Sequence, residues 1–186
     1  MTENPRTYAE AGVDTEFLNK LKSIGREISK RTRTQYVVDR DGDFVLDNNR
    51  LSEDFPSAVI YMENDGIGSK QDLLLDSAHA FTAGWDLVAA NVNDVIRHGA
   101  TPIGMNVDFK IHDVSEDEFR NCMVGVLAAL RKSDCALLGG ETAIHPNMPP
   151  HSWHLSATAI GIASNIDIVS RKAAREGDII LGLLSS

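Results

Sequence analysis

Ser115-Glu116-Asp117-Glu118, followed by apolar residues at Phe119, Met123, Val126, Leu127 and Leu130, constrains the fold of this chain more than any other segment. A serine with a glutamate three residues on forms a capping box, which satisfies two orphaned backbone donors at a helix start. The apolar spacing then places one stripe on a single helical face. The segment is predicted as an amphipathic helix, and such a helix needs an apolar surface to lie on. Strand patterns on either side supply it: Pro102 to Ile111 alternates through Met105, Val107 and Phe109, and Cys135-Ala136-Leu137-Leu138 is a short apolar run. Upstream, Ser57 to Met62 reads as a buried strand stopping at the turn Asn64-Asp65-Gly66, and Thr82 to His98 as a second helix stopped by Gly99. His154 to Ala163 reads as a further strand. Short strands separated by helices of this length predict an α+β, layered architecture, with helices packed on one face of a mixed sheet.

The 186 residues divide into three parts. Residues 1–54 are polar and read as an arm and loop, with a weak helical stripe at Phe17, Leu21, Ile24 and Ile28 and the basic run Lys30-Arg31-Thr32-Arg33 as a solvated helix end. Residues 55–170 carry the strand and helix patterns. Residues 171–186 begin a new strand, Ile179 to Leu184, after the turn Glu176-Gly177-Asp178.

Charge excludes one class of partner. With 27 acids against 18 bases the net charge is -9, which gives no basic footprint for nucleic acid. A phosphorylated small molecule stays compatible, because magnesium and backbone N–H groups can bind it without a basic surface. Two cysteines, a polar N-terminus and the lack of an apolar run of about 20 residues point to the cytoplasm, with no membrane association. His151 and His154 sit on opposite faces of a predicted strand, a poor arrangement for a zinc pair.

Three segments carry chemistry. In Asp65-Gly66-Ile67-Gly68-Ser69-Lys70 the glycines let backbone donors approach an oxyanion, the aspartate can ligate magnesium and Lys70 can neutralise a phosphate. The order is not that of a P-loop, and an ordinary turn uses the same residues. On the helix, Asp86 and Asn93 share a face about 10 Å apart at 1.5 Å per residue, while Asn91 and Asp94 are one turn apart. Gly139-Gly140-Glu141-Thr142 follows a buried strand, so the glycines are expected in an irregular turn from which Glu141 projects. Asp65, Asp94 and Glu141 together would suit magnesium, an oxygen-seeking ion, beside a triphosphate.

Tyr8-Ala9-Glu10-Ala11-Gly12-Val13-Asp14, the segment 65–70, Asp86 to Asp94, Gly99-Ala100-Thr101-Pro102 and Gly139-Gly140-Glu141-Thr142-Ala143 occur in the order and spacing of one family. Over nearly its whole length the chain resembles the phosphoribosylformylglycinamidine cyclo-ligase (aminoimidazole ribonucleotide synthetase) family. Wider relatives include selenophosphate synthetase, thiamine-monophosphate kinase and a hydrogenase maturation factor. The resemblance implies an ATP-dependent ligase of purine biosynthesis whose N-terminal ATP-binding domains pair as a homodimer, two sheets forming a barrel. It further implies that ATP, with Mg2+, phosphorylates the amide oxygen of formylglycinamidine ribonucleotide, after which an amidine nitrogen closes the imidazole ring. By motif position Asp65, Asp94 and Glu141 would hold metal, and Lys70, Asp94 and Glu141 would be catalytic. Gly66, Gly68, Ser69, Gly139, Gly140 and Thr142 would line the nucleotide, with Asp86 and Asn93 as substrate or supporting contacts. Two departures bear on the substrate: residues 37–54 are acidic where the family is glycine-rich, and Ile144-His145-Pro146-Asn147-Met148-Pro149 replaces Glu-Met-Pro-Gly. Ser185-Ser186 matches the start of the family motif Ser-Ser-Gly-x-His-Ser-Asn-Gly, so the chain is expected to lack most of a second domain and to be inactive alone. The open alternatives are a non-catalytic nucleotide-binding or dimerisation module, and a relative activating another amide or carbamoyl oxygen.

Overall fold

In the computed structural model, residues 7–76, 78–166 and 168–184 are described. Four strands, β3 (Ala58–Gly66), β4 (Thr101–His112), β5 (Ala136–Ile144) and β6 (Ser152–Ser164), form one mixed sheet in the order β3-β6-β4-β5. Strand β6 is antiparallel to both β3 and β4, whereas β4 and β5 are parallel. The parallel pair requires a crossover, and helix α5 (Glu116–Lys132) provides it. Its capping box forms as the sequence predicts: the Glu118 N–H donates to Ser115 Oγ at 3.2 Å and the Ser115 N–H donates to Glu118 Oε2 at 2.8 Å.

Helices α4 (Ala80–Ile96) and α5 cover one face of the sheet. Strand alternation sends Met105, Val107, Phe109 and Ile111 of β4 and Trp153, Leu155, Ala157 and Ala159 of β6 into this core. The two helices meet backbone to backbone, since a Cβ on Gly84 would lie 1.9 Å from the Cys122 carbonyl oxygen and one on Gly125 2.0 Å from that of Phe81. Burial pushes the Cys122 thiol up, and the Cys135 thiol up to about 12, so neither is a reactive thiolate.

The N-terminal segment is not a detached arm. Helix α1 (Thr15–Arg31), capped by the Asp14 carboxylate accepting from the Phe17 N–H at 2.9 Å, buries Leu21, Ile24 and Ile28 in the same core. Hairpin β1 (Val37–Arg40) and β2 (Asp43–Leu46) follows, turning at Asp41-Gly42, then helix α2 (Asn48–Asp54). Leu51, Ile103 and Ile162 form a second small core with Tyr36 and Phe55, on the sheet face opposite α4 and α5. The rest of that face carries exposed Ile60 and Met62 on β3.

Residues 179–184, expected as a strand, have no regular structure and no strand partner among the described residues, and Ile179, Ile180, Leu181, Leu183 and Leu184 are exposed. A strand needs a neighbour to pair with, and the local apolar run cannot supply one. Ser185-Ser186 lies outside the described residues. No helix of the described residues is long and apolar enough to cross a membrane.

Candidate functional site

Strands β3, β4 and β5 all point the same way, so the acids near their C-terminal ends gather at one end of the sheet. The register puts Asp65, Ala157, Val107 and Gly140 level with one another, and one step further aligns Gly66, Ser156, Asp108 and Glu141.

On the β3 side, Asn91 holds the backbone of Asp65 as a neighbouring strand would. The Asp65 N–H donates to Asn91 Oδ1 at 3.1 Å, and Asn91 Nδ2 donates to the Asp65 carbonyl at 3.1 Å and the Leu87 carbonyl at 2.9 Å. Asn91 is fully buried, and these bonds satisfy its amide. The exposed Asp65 carboxylate accepts from the Gly66 N–H at 2.8 Å. Strand β3 continues through Gly66 rather than turning at Asn64, because a Cβ at Gly66 would lie 2.8 Å from the Leu155 carbonyl oxygen and glycine alone permits that approach. The turn comes at Gly68 and Ser69, with Gly68 at φ +61. Short helix α3 (Lys70–Leu73) then begins, tied to β6 by Gln71, whose side chain accepts from the Leu155 N–H at 3.1 Å. Lys70 Nζ lies 2.7 Å from Asp86 Oδ2, so the expected phosphate cation is paired with the expected substrate contact.

On the β5 side, Gly139-Gly140-Glu141-Thr142 is not an irregular turn. Strand β5 runs through all four residues, carried by pairing with β4 after an irregularity opposite Met105 and Asn106. Gly140 is required there, since a Cβ would lie 2.1 Å from the Val107 carbonyl oxygen. Glu141 is held from two sides: its Oε1 accepts from the Thr142 N–H at 3.0 Å and lies 3.6 Å from Lys22 Nζ of α1. Further back, the Leu137 N–H donates to Thr32 Oγ1 at 2.9 Å.

Asp65, Asp94 and Glu141 do not converge on one point within this chain. Three strand spacings of about 4.8 Å separate Asp65 from the level of Gly140, roughly 14 Å in all, against magnesium–oxygen distances of about 2.1 Å. Asp94 is in the last turn of α4, where Arg97 lies 3.5 Å from it and 3.6 Å from Glu63. Asn93 is exposed on the same turn. Among the described residues no group of three or more His, Cys, Asp or Glu could hold a metal.

Sequence reasoning passes over Asp108, which reads there as one polar position in an alternating strand. Its Oδ1 is buried without a hydrogen-bond partner, its Oδ2 lies 3.6 Å from Lys110 Nζ, and its ladder partner on β5 is Glu141. An orphaned carboxylate oxygen beside a second carboxylate is a donor set suited to a hard cation.

Residues 54–163 match the family described as AIR synthase related protein, N-terminal domain. The chain belongs to this family. Among its curated relatives are phosphoribosylformylglycinamidine cyclo-ligases of Desulfatibacillum aliphaticivorans, 33% identical over 97% of this chain and 52% of the relative, and of Nitratidesulfovibrio vulgaris, 33% identical over 99% and 53%. The chain thus spans about half the length of the curated relatives it matches. Among solved structures, thiamine-monophosphate kinase of Stenotrophomonas maltophilia superposes with a TM-score of 0.59 at 23% identity, covering 78% of this chain and 43% of that one. The hydrogenase maturation protein HypE, solved in complex with ATP, gives 0.59 at 16% identity over 81% of this chain and 42% of that one. These two establish a shared fold. Within the AIR synthase related fold, Asn91 is the positioning residue that the sequence names only as a helix neighbour of Asp94. Lys22 carries no local signal for its contact with Glu141.

Proposed function

We propose that this chain supplies the ATP-binding part of a cyclo-ligase that converts formylglycinamidine ribonucleotide to aminoimidazole ribonucleotide, with ADP and phosphate as products. The observation that carries the reading is the orphaned Asp108 oxygen beside Glu141, at the same end of the sheet as the turn running from Asp65 to Lys70. The cyclo-ligase names of the relatives support the reaction, and the ATP complex of HypE supports the nucleotide.

Magnesium binds through one or two protein carboxylates and completes its shell with water and phosphate oxygens. Asp108 and Glu141 are the pair that would hold it, and Asp65 is offered to a second cation at the far end of a polyphosphate. When bound, the ion supplies charge neutralisation at the transferred phosphoryl group. Glu141 must leave Lys22 to take part, and Lys70 must exchange Asp86 for a phosphate oxygen. The main-chain donors near Gly68 and Ser69 orient the phosphates. The γ-phosphoryl group moves to the amide oxygen, which makes that oxygen a leaving group. An amidine nitrogen attacks the same carbon, the ring closes, and phosphate departs with the oxygen. A second copy of the chain would cover Ile60 and Met62 and close that face of the sheet into a barrel.

Calorimetric titration with ATP and magnesium tests the binding half of this reading. Asp65→Asn, Asp108→Asn and Glu141→Gln are each expected to weaken binding about tenfold, equivalent to about 1.4 kcal/mol. Unchanged affinity in all three would remove the site. The chain alone is expected to bind without turnover, and phosphate release with formylglycinamidine ribonucleotide by the chain alone would overturn that expectation.

A further inference from the structure

Between α1 and β5 lies a cavity of about 280 Å³, on the helix side of the sheet. Its floor is apolar, made by Phe109, Phe119, Met123 and Leu137, while Lys22 and Arg26 stand on its α1 rim. Arg26 makes no ion pair among the described residues, and Lys22 is engaged only with the exposed Glu141.

On the α1 wall the space is kept open by glycine. Gly25 sits inside α1, where glycine costs helix stability relative to alanine, and a Cβ there would have nothing within 4 Å. Opposite it, the backbone of Gly139 and Gly140 on β5 lines the cavity. Had the helix been selected for packing alone, a larger residue at position 25 would fill the gap and raise helix propensity together.

We propose that this cavity binds a single-ring aromatic compound carrying one anionic head, a phosphate or a carboxylate. A dry cavity of about 150 Å³ accommodates benzene, so the space here suits one ring with a substituent. The apolar floor takes the ring, and the head reaches the rim, where Arg26 accepts it without breaking an existing pair. Gly139, Gly140, Glu141 and Thr142 also line the cavity, so it adjoins the proposed nucleotide residues from the helix side of the sheet, and the proposal concerns the apolar cavity itself rather than the phosphate contacts.

Phenyl phosphate, benzoate and neutral phenol are the probes, with binding followed by calorimetry and located by the methyl resonance of Met123. One of the anionic rings is expected to bind at least ten times more tightly than phenol and to shift Met123; which one does so identifies the head. Lys22→Ala combined with Arg26→Ala should reduce that anion to the affinity of phenol. Gly25→Leu should abolish binding of all three and raise the melting temperature. The proposal is overturned if Gly25→Leu binds the anionic ring as tightly as the parent chain, if no anion outbinds phenol, or if Met123 does not respond.

Discussion

The two edges of the central sheet hold their acids by opposite means. At the β3 edge the backbone of Asp65 is fixed by a buried amide, Asn91, through two hydrogen bonds, while a third ties that amide to the Leu87 carbonyl. At the β5 edge the Glu141 carboxylate is held by an exposed lysine and by the N–H of its own neighbour. The first arrangement presets a position in space, and removing a partner strands buried polar groups. The second sets only an orientation, and any competing cation can exchange with it. A site built this way has one rigid end and one adjustable end.

The largest effect that tests this contrast should come from Asn91→Ala, which leaves the Asp65 N–H and carbonyl without their partner and opens space under α4. A loss of about 3 kcal/mol in urea unfolding is expected. A loss below about 1 kcal/mol would mean that water replaces the amide, and the β3 edge would then be no more rigid than the other. Lys22→Met should be far milder. Its partner is exposed and the pair is solvated, so stability should change by less than about 0.5 kcal/mol in the same assay. If it costs as much as Asn91→Ala, the β5 edge is equally preset and the contrast fails.

Acid is expected to act least selectively. Asp76, on the approach to α4, is held below its ordinary range by the His79 imidazole and then by the His79 N–H, and Asp39, in the hairpin beside β5, by the Gly42 N–H and then by Arg33. A carboxyl that is more acidic in the folded chain contributes stability that is complete above its unfolded value of about 3.9 and fades as pH falls through the lowered folded value. Asp76→Asn and Asp39→Asn should therefore each flatten the acid limb of the stability curve slightly, measured as urea midpoints from pH 5 downward. A flattening confined to one of them would add acid sensitivity to the difference between the edges.

Features coded over a few residues could be read from the sequence. Ser115 and Glu118 cap α5 as expected because a cap is made by neighbours in the chain, and α4, β4 and β6 begin and end close to their expected bounds because their periodicities are strong. Gly139-Gly140 misled because paired glycines favour turns locally, while the ladder with β4 decides the matter from 33 residues away, Val107 to Gly140. Helix α1 looked like an arm because its stripe is weak and its docking surface on β5 lies more than a hundred residues downstream. Among the candidate site residues, the exposure of Asp65 was legible, whereas the turn expected at Asn64-Asp65-Gly66 came later, at Gly68. The burial of Asn91 against β3, the orphaned oxygen of Asp108 and the reach of Lys22 to Glu141 were not, since each depends on which elements become neighbours.

The hydrogen bonds on the outer side of β5 have a bearing on how the chain tolerates change. An unpaired strand edge is where another chain's strand can add and start aggregation. Here Thr32 occupies the Leu137 N–H and Glu141 occupies the Thr142 N–H, so an acid proposed as a metal ligand also guards a sheet edge against its own kind. Shortening it to alanine would remove the proposed ligand and bare that amide together, confounding lost affinity with self-association. Glutamine keeps an acceptor at the same reach, and in that variant the two duties of position 141 come apart.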